Sequence, residues 1–302
     1  MHSLDLSPLL AADAPIVTRF APSPTGYLHL GHVVNAIYVW GIARAAGGEV
    51  LLRLEDHDRI RCRVDYERAL IEDLDWLGFV PDRGRHPPRR QRDTEHRYVD
   101  ALAELRQRHH VYACDCSRKD IRQEQDDHDS GERYPGRCRD RGVADTGRVG
   151  LRIAIAPGSE SWNDLRLGPT VQEPSRQCGD LLSRDRDGHW TYQFAVTVDD
   201  WVDQVTLVIR GEDLLSSTGR QLRLARMLGR PRMPLFLHHP LILKPSGEKL
   251  SKASGDTGIR DLRAQGLSPA DVIGRAAYAA GLIPAEAPVE ASAVSAIVSS
   301  RQ

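Results

Sequence analysis

Residues 20–32 read FAPSPTGYLHLGH. They follow IVTRF (16–20), a short β-prone run that the two prolines and Gly26 bring to a stop. From Gly31 the apolar period changes: Val34, Ile37, Val39 and Trp40, with small alanines, predict a helix ending near Gly47-Gly48. EVLLRLED (49–56) then reads as a buried strand finishing in charge. DYERALIEDLDWLG (65–78) is a second helix, with Ala69, Leu70, Leu74 and Leu77 on one face and Gly78 as its stop. Strands alternating with helices imply a parallel α/β sheet, whose ligands bind beyond the carboxyl ends of the strands. Both 20–32 and the charged LEDHD cluster fall at such ends.

The rest of the chain is less uniform. Residues 117–148 carry few apolar side chains and alternate in charge, so they build no core of their own. LRIAIA (151–156) and WTYQFAVTVDD (190–200) are both read as strands. VTLVIRGEDLLSSTGRQLRLARMLG repeats the strand–turn–helix theme, with Leu222, Leu224, Ala225 and Leu228 on the helix. HHPLILKPSGEKLSKASG reads as a strand entering a Gly/Ser/Lys loop; from about 266 the chain is alanine-rich and helical, fraying at its end.

A formal net charge of -1 offers no global basic field, which argues against a non-specific nucleic-acid binder. It leaves open an enzyme that meets RNA along a local stripe. The start lacks the basic and apolar regions of a secretory signal, and no run is long enough to cross a membrane. Five cysteines are too sparse and too odd for a disulfide framework. The cytoplasm is the expected compartment, with no membrane partner.

Neither G-x-x-x-x-G-K-[ST] nor G-x-G-x-x-G is present, and G-x-S-x-G is missing too. A nucleotide would need another device. His29 and His32, flanking Gly31 at a helix start, could donate to phosphate oxygens with help from the helix dipole. Gly31 would let the nucleotide approach the backbone. Alone, such a pair is as readily a helix cap or a metal fragment. KLSKASG (249–255) adds Lys249 and Lys252 on a loop able to close over a polyphosphate.

Together these stretches resemble a known family. FAPSPTGYLHLGH is similar to the HIGH signature of class I aminoacyl-tRNA synthetases, and KLSKA to their KMSKS loop. RFAPSPTG and LRLEDHD resemble the glutamyl branch over roughly residues 15–265. The resemblance implies a Rossmann-like catalytic domain that binds ATP with Mg²⁺ and activates glutamate, with His29, His32, Lys249 and Lys252 as catalytic residues and Gly31 in the ATP site. The residue chemistry suits that substrate: a dicarboxylic amino acid needs cationic donors, preferably arginine, and an anion for its ammonium. Arg19 and Arg210 fit the first need and Glu55 the second, with Ser23 and Tyr192 as hydroxyl contacts. The family's matching positions form the amino-acid pocket; Asp56 and Asp58 are read as supports.

Only residues 266–302 follow that region, too few for the helical anticodon-binding domain of full-length glutamyl enzymes. The chain thereby resembles their truncated paralogues, the glutamyl-Q tRNA(Asp) synthetases. That resemblance implies tRNA-independent activation of glutamate and its transfer to queuosine in the anticodon loop of tRNA-Asp. The implied organisation is a tail (1–14), a catalytic half (15–107), an insertion (108–190), a second catalytic half (191–265) and a short helical part (266–302), in a monomer.

Cys114-x-Cys116 and Tyr134-x-x-x-Cys138 form two close pairs around a loop, the arrangement of a structural zinc site. Zinc would order a segment that has no core. The paralogue spacing implies Tyr134 as the fourth ligand of one Zn²⁺ per chain, with His128 as its competitor. RGRHPPRRQR (83–92) is a candidate RNA stripe, or else a solvated basic loop. Other readings are a truncated enzyme charging the tRNA 3′ end, a synthetase-like ligase with a non-tRNA acceptor, and a non-catalytic binding module.

Overall fold

The computed structural model describes residues 4–11, 14–57, 61–123, 133–242 and 258–300. Its centre is an α/β layer. β1 (Val17–Phe20), β2 (Glu49–Leu54) and β3 (Arg89–Arg90) run parallel in the order β1-β2-β3. A second set has the order β7-β6-β10-β9, from β6 (Glu160–Asp164), β7 (Gly168–Gln172), β9 (Leu207–Gly211) and β10 (Leu235–His239). The sets meet where Thr206 N–H donates to the Val17 carbonyl at 2.9 Å and Thr206 Oγ1 accepts from Val17 N–H at 2.8 Å. β1 and β9 thus lie side by side although far apart in sequence, which makes their junction the switch point where such folds hold ligands.

Helix α2 (Leu30–Ala45) runs beneath this junction. Its residues Val33 through Ala43 are buried apart from Asn35, so it is apolar nearly all round, as a central helix must be. α3 (Val64–Leu77) ends as expected at Gly78, whose φ of 84° places it in the left-handed region. The first helix, α1 (Ser7–Leu10), is also packed: Leu4, Leu6 and Leu9 join the main core. At the other end α9 (Ile259–Ala264) and α10 (Pro269–Ala279) lead to α11 (Val294–Ser299). α11 does not fray. Val294 and Val298 are buried against α2, so closely that a Cβ on Gly41 would meet Val298 Cγ2 at 2.8 Å.

The middle of the chain forms α4 (His96–Arg108), β4 (Val111–Cys114), α5 (Arg118–Gln123), β5 (Gly150–Ile153), α6 (Pro174–Gln177) and β8 (Leu181–Arg184), with β4, β5 and β8 antiparallel. Not all of 108–190 lies together, because the β6–β7 hairpin returns to β10 in the catalytic sheet.

WTYQFAVTVDD is a helix and not the expected strand: α7 spans Tyr192–Val202. Its β-branched residues suggested a strand, but Phe194, Ala195 and Val198 sit in one cluster with Tyr98, Leu102, Trp190 and Leu224 of α4, α8 (Thr218–Met227) and the loop before α7. Tertiary packing overrides propensity here. The helix also gathers Asp199, Asp200 and Asp203 within about 100° of arc, whereas a strand would have sent Asp199 and Asp200 to opposite faces.

Candidate active site

A cavity of about 520 Å³ opens at the carboxyl ends of β1, β2, β9 and β10. It is lined by Arg19, Ser23, His29, Gly31, His32, Glu55, Tyr192 and Arg210, which brings together every predicted site residue inside the described segments outside the cysteine cluster. Lys249, Lys252 and Asp58 lie outside the described residues. The chain on both sides of 243–257 does border the cavity: Leu241 and Ile242 line it, and Gly258 bridges His29.

The two histidines cap α2. His29 Nδ1 accepts from Gly31 N–H and His32 Nδ1 accepts from His29 N–H, both at 3.1 Å. An Nδ1 that accepts carries no proton, so each neutral ring keeps its N–H at Nε2. The cap reading and the ligand reading are therefore compatible: one nitrogen caps, and the other is a donor. A side chain at Gly31 would crowd the His29 ring, because a Cβ there would lie 2.9 Å from His29 Cε1.

Opposite the histidines stands a buried ion network. Arg19 Nε donates to both oxygens of Asp200 at 3.1 and 3.2 Å, and its Nη1 to the Ile209 carbonyl at 3.2 Å. Arg53, wholly buried, pairs with Asp200 at 2.8 Å, Glu55 at 3.1 Å and Asp203 at 3.4 Å. Burial opposes the charge on Arg53, but Asp200, Asp199, Glu55 and Asp203 hold it protonated. Burial likewise pushes Asp200 up, yet Arg19 and Arg53 outweigh it and leave this carboxyl below its usual range. Glu55 differs: burial raises its pKa, and Arg53 and Arg19 only partly offset the rise. Tyr192, the first residue of α7, has its phenol raised by burial and by Glu55, so it stays a neutral hydroxyl.

Arg210 ends β9. Its Nε donates to His238 Nε2 at 3.1 Å, Nη1 to Gln221 Oε1 at 2.7 Å and Nη2 to Thr218 Oγ1 at 2.8 Å. His239 also lines the cavity, stacked on Tyr38 at 5.0 Å, and burial pushes its pKa down to about 4. Arg53, Asp200, His238 and His239 escaped the sequence reading. LRLEDHD, the acidic VDDWVD and the histidine pair closing β10 were their only traces.

The candidate RNA stripe is tied down instead. Arg83 pairs with Glu49, Arg85 with Asp75, Arg89 with Asp203, Arg90 with Glu67 and Arg92 with Asp56. Each of its arginines is thus ion-paired within the chain while keeping part of its side chain in solvent, and Asp56 also accepts from Arg92 N–H at 3.0 Å.

The Cys/Tyr cluster does assemble. The sulfurs of Cys114, Cys116 and Cys138 lie within 4.8 Å of one another, with Cys116 and Cys138 3.4 Å apart. The Tyr134 hydroxyl is 3.4 Å from Cys114 Sγ and 3.9 Å from Cys116 Sγ. Zinc–sulfur bonds of about 2.3 Å give a tetrahedron of edge about 3.8 Å, so this donor set fits the ion. Arg152 Nε donates to Cys114 Sγ at 3.4 Å and Arg141 Nη1 to Cys138 Sγ at 3.3 Å; burial pushes the Cys114 thiol up, but the Tyr134 and Arg152 hydrogen bonds outweigh it and hold that thiol below its ordinary range. His128 lies outside the described residues.

Residues 15–278 match the family described as tRNA synthetases class I (E and Q), catalytic domain. The glutamyl-Q tRNA(Asp) synthetase of Rhodobacter capsulatus is 39% identical, over 85% of this chain and 98% of that protein. Its namesake from Symbiobacterium thermophilum is 42% identical, over 90% and 88%. Among solved structures, a glutamate tRNA ligase from Elizabethkingia meningosepticum in complex with its amino acid superposes with a TM-score of 0.76. It is 27% identical, over 95% of this chain and 64% of that one. The chain belongs to the class I (E and Q) tRNA synthetases and, within them, to the glutamyl-Q tRNA(Asp) synthetases, and it is a ligase of the glutamyl-tRNA synthetase type.

Proposed function

We propose that the chain activates glutamate with ATP in the absence of tRNA and transfers it to a hydroxyl of the queuosine cyclopentenediol in the anticodon loop of tRNA-Asp. The observation that carries the first half is the convergence of Arg19, Glu55, Tyr192 and Arg210 with His29 and His32 on one cavity. Two guanidiniums suit the two carboxylates of glutamate, and Glu55 suits its ammonium. The second half is supported by the names of the relatives just described.

In the first step the glutamate α-carboxylate attacks the ATP α-phosphorus, forming a P–O bond as the bond to pyrophosphate breaks. ATP arrives with Mg²⁺ on its phosphates. His29 and His32, with Nε2–H as donors, stabilise charge on the transferring phosphoryl group, and Lys249 and Lys252 complete that stabilisation; positioning and charge dominate such transfers. In the second step the acceptor hydroxyl attacks the mixed anhydride, AMP leaves, and an ester remains. Cys114, Cys116, Cys138 and Tyr134 would hold one Zn²⁺, which supplies structural order to the insertion. The reading keeps catalytic halves at 15–107 and 191–265, to which the β6–β7 hairpin of the intervening segment adds two strands.

Two assays test it. Glutamate-dependent ATP–pyrophosphate exchange should proceed without tRNA. Labelled glutamate should enter queuosine-containing tRNA-Asp and not its queuosine-free form; labelling both equally, or only the 3′ end of tRNA-Glu, overturns the proposal.

A further inference from the structure

Arg210 is the only one of the two pocket arginines whose Nε contacts an imidazole, and that contact has a chemical requirement. Arg210 Nε can only donate, so His238 Nε2, 3.1 Å away, must accept. Thr218 is compatible with the same polarity: its Oγ1 accepts from Arg210 Nη2 at 2.8 Å, which leaves its own O–H able to donate to His238 Nε2, 3.1 Å away. The other ring nitrogen, Nδ1, lies 2.6 Å from Asp164 Oδ2. Both His238 and Asp164 are buried completely, with no solvent to exchange the tautomer. Asp164 is itself held in place, its Oδ1 accepting from Arg166 N–H and Leu167 N–H at 3.1 Å.

Asp164 closes β6, in the hairpin that returns from the middle of the chain to β10. The hairpin is pinned to α8, which carries Thr218 and Gln221: Glu160 on β6 pairs with Arg223 and Arg226. The segment thus reaches the pocket through a line of hydrogen bonds, without lining it.

We propose that Asp164 and His238 are positioning residues for glutamate binding: the Asp164 carboxylate fixes the proton on His238 Nδ1, and Nε2 then acts as the acceptor that aims the Arg210 guanidinium. This rests on the reading of Arg210 as a glutamate ligand. It has a consequence that packing alone would not have. In D164N, Asn Oδ1 can keep the two backbone bonds, but the amide nitrogen then faces His238 Nδ1 as a donor. The ring must move its proton to Nε2, where it confronts both Arg210 Nε–H and Thr218 O–H. An amide in place of a tautomer-setting carboxylate leaves the shape and reverses the polarity.

The test uses the full chain, with ¹⁵N-histidine NMR to report the tautomer and pyrophosphate exchange to report KM and kcat for glutamate. D164N is expected to swap the His238 tautomer and raise KM for glutamate by about tenfold to a hundredfold, with kcat far less changed. A swap with unchanged KM, or a raised KM without a swap, overturns the inference. Should D164N not fold, H238Q and H238M serve: glutamine offers an oxygen to Arg210 and an N–H to Asp164, while methionine has no such oxygen. KM should stay near the wild-type value in H238Q and rise in H238M; equal values refute the inference. R210K separates the two levels. A glutamate KM unmoved by R210K removes the pocket reading and this inference with it, whereas a KM raised in R210K but not in D164N removes this inference alone.

Discussion

The carboxylate of Asp200 is shared between two arginines: its Oδ1 lies 3.1 Å from Arg19 Nε and 2.8 Å from Arg53 Nη1. Arg19 faces the cavity and Arg53 does not, yet Arg53 also holds Glu55, the anion on the opposite side of the proposed amino-acid site. One buried carboxylate thereby orders both signs of charge in the pocket. D200N, which keeps the shape and removes the charge, should raise KM for glutamate roughly tenfold, about 1.4 kcal/mol of binding. Pyrophosphate exchange measured against glutamate and then against ATP checks this; an equal rise for both substrates would contradict it.

Glu55 predicts a pH effect with a definite sign. It must be ionised to pair with an ammonium, and burial raises its pKa. KM for glutamate should therefore climb on acidification at a pH above the ordinary glutamate value of about 4.3, and E55Q should abolish that inflection. For stability the sign is opposite. A carboxyl whose pKa is raised by folding favours the fold when protonated, an advantage present at low pH and lost as the pH rises through the folded value. At pH 7 the melting temperature of E55Q should then be no lower than that of the wild type.

Gly31 offers a steric test. A Cβ at this position would approach His29 Cε1 to 2.9 Å, displacing the ring that accepts from Gly31 N–H. G31A is expected to lower kcat of exchange by at least tenfold while the thermal midpoint moves by only a few degrees, since one cap is worth about 1 kcal/mol. An unchanged kcat would show that the His29 ring has no bearing on activation.

The arginines of 83–92 should affect stability more than RNA affinity. Arg89 pairs at 2.6 Å with Asp203, a fully buried carboxylate. Because Asp203 keeps Arg53 and Arg97, R89A is expected to cost about 1–3 kcal/mol of stability, while the salt dependence of tRNA binding keeps its slope. A slope reduced by about one unit would instead identify a phosphate contact.

The cysteine cluster gives a prediction about metal. Elemental analysis should find one zinc per chain in the wild type and much less in C138S. Tyr112, Cys114, Tyr134 and Cys138 form their own small cluster apart from the main core. Zinc loss should accordingly lower the thermal midpoint while glutamate-dependent exchange persists at 25 °C. A wild-type chain that binds no zinc at all would refute the assignment.

Much of this molecule was legible in one dimension, and for a physical reason. FAPSPTGYLHLGH, LRLED and VTLVIRG each place a strand end, a turn and the site residues within a few positions, so local chemistry and local geometry coincide. The cysteine and tyrosine spacing is similarly local. The remainder depends on partners far apart in sequence or on propensities overruled by packing. VTVDD became a helix because Phe194, Ala195 and Val198 found a core to enter. That helix then presented Asp200 to Arg19 and Arg53, across sequence separations that no periodicity encodes. Asp164 reached His238 only when the β6 strand returned to β10. The arginine-rich 83–92 stretch was bound to carboxylates from four other parts of the chain, since a charge in a sequence does not reveal whether water or a buried acid will neutralise it.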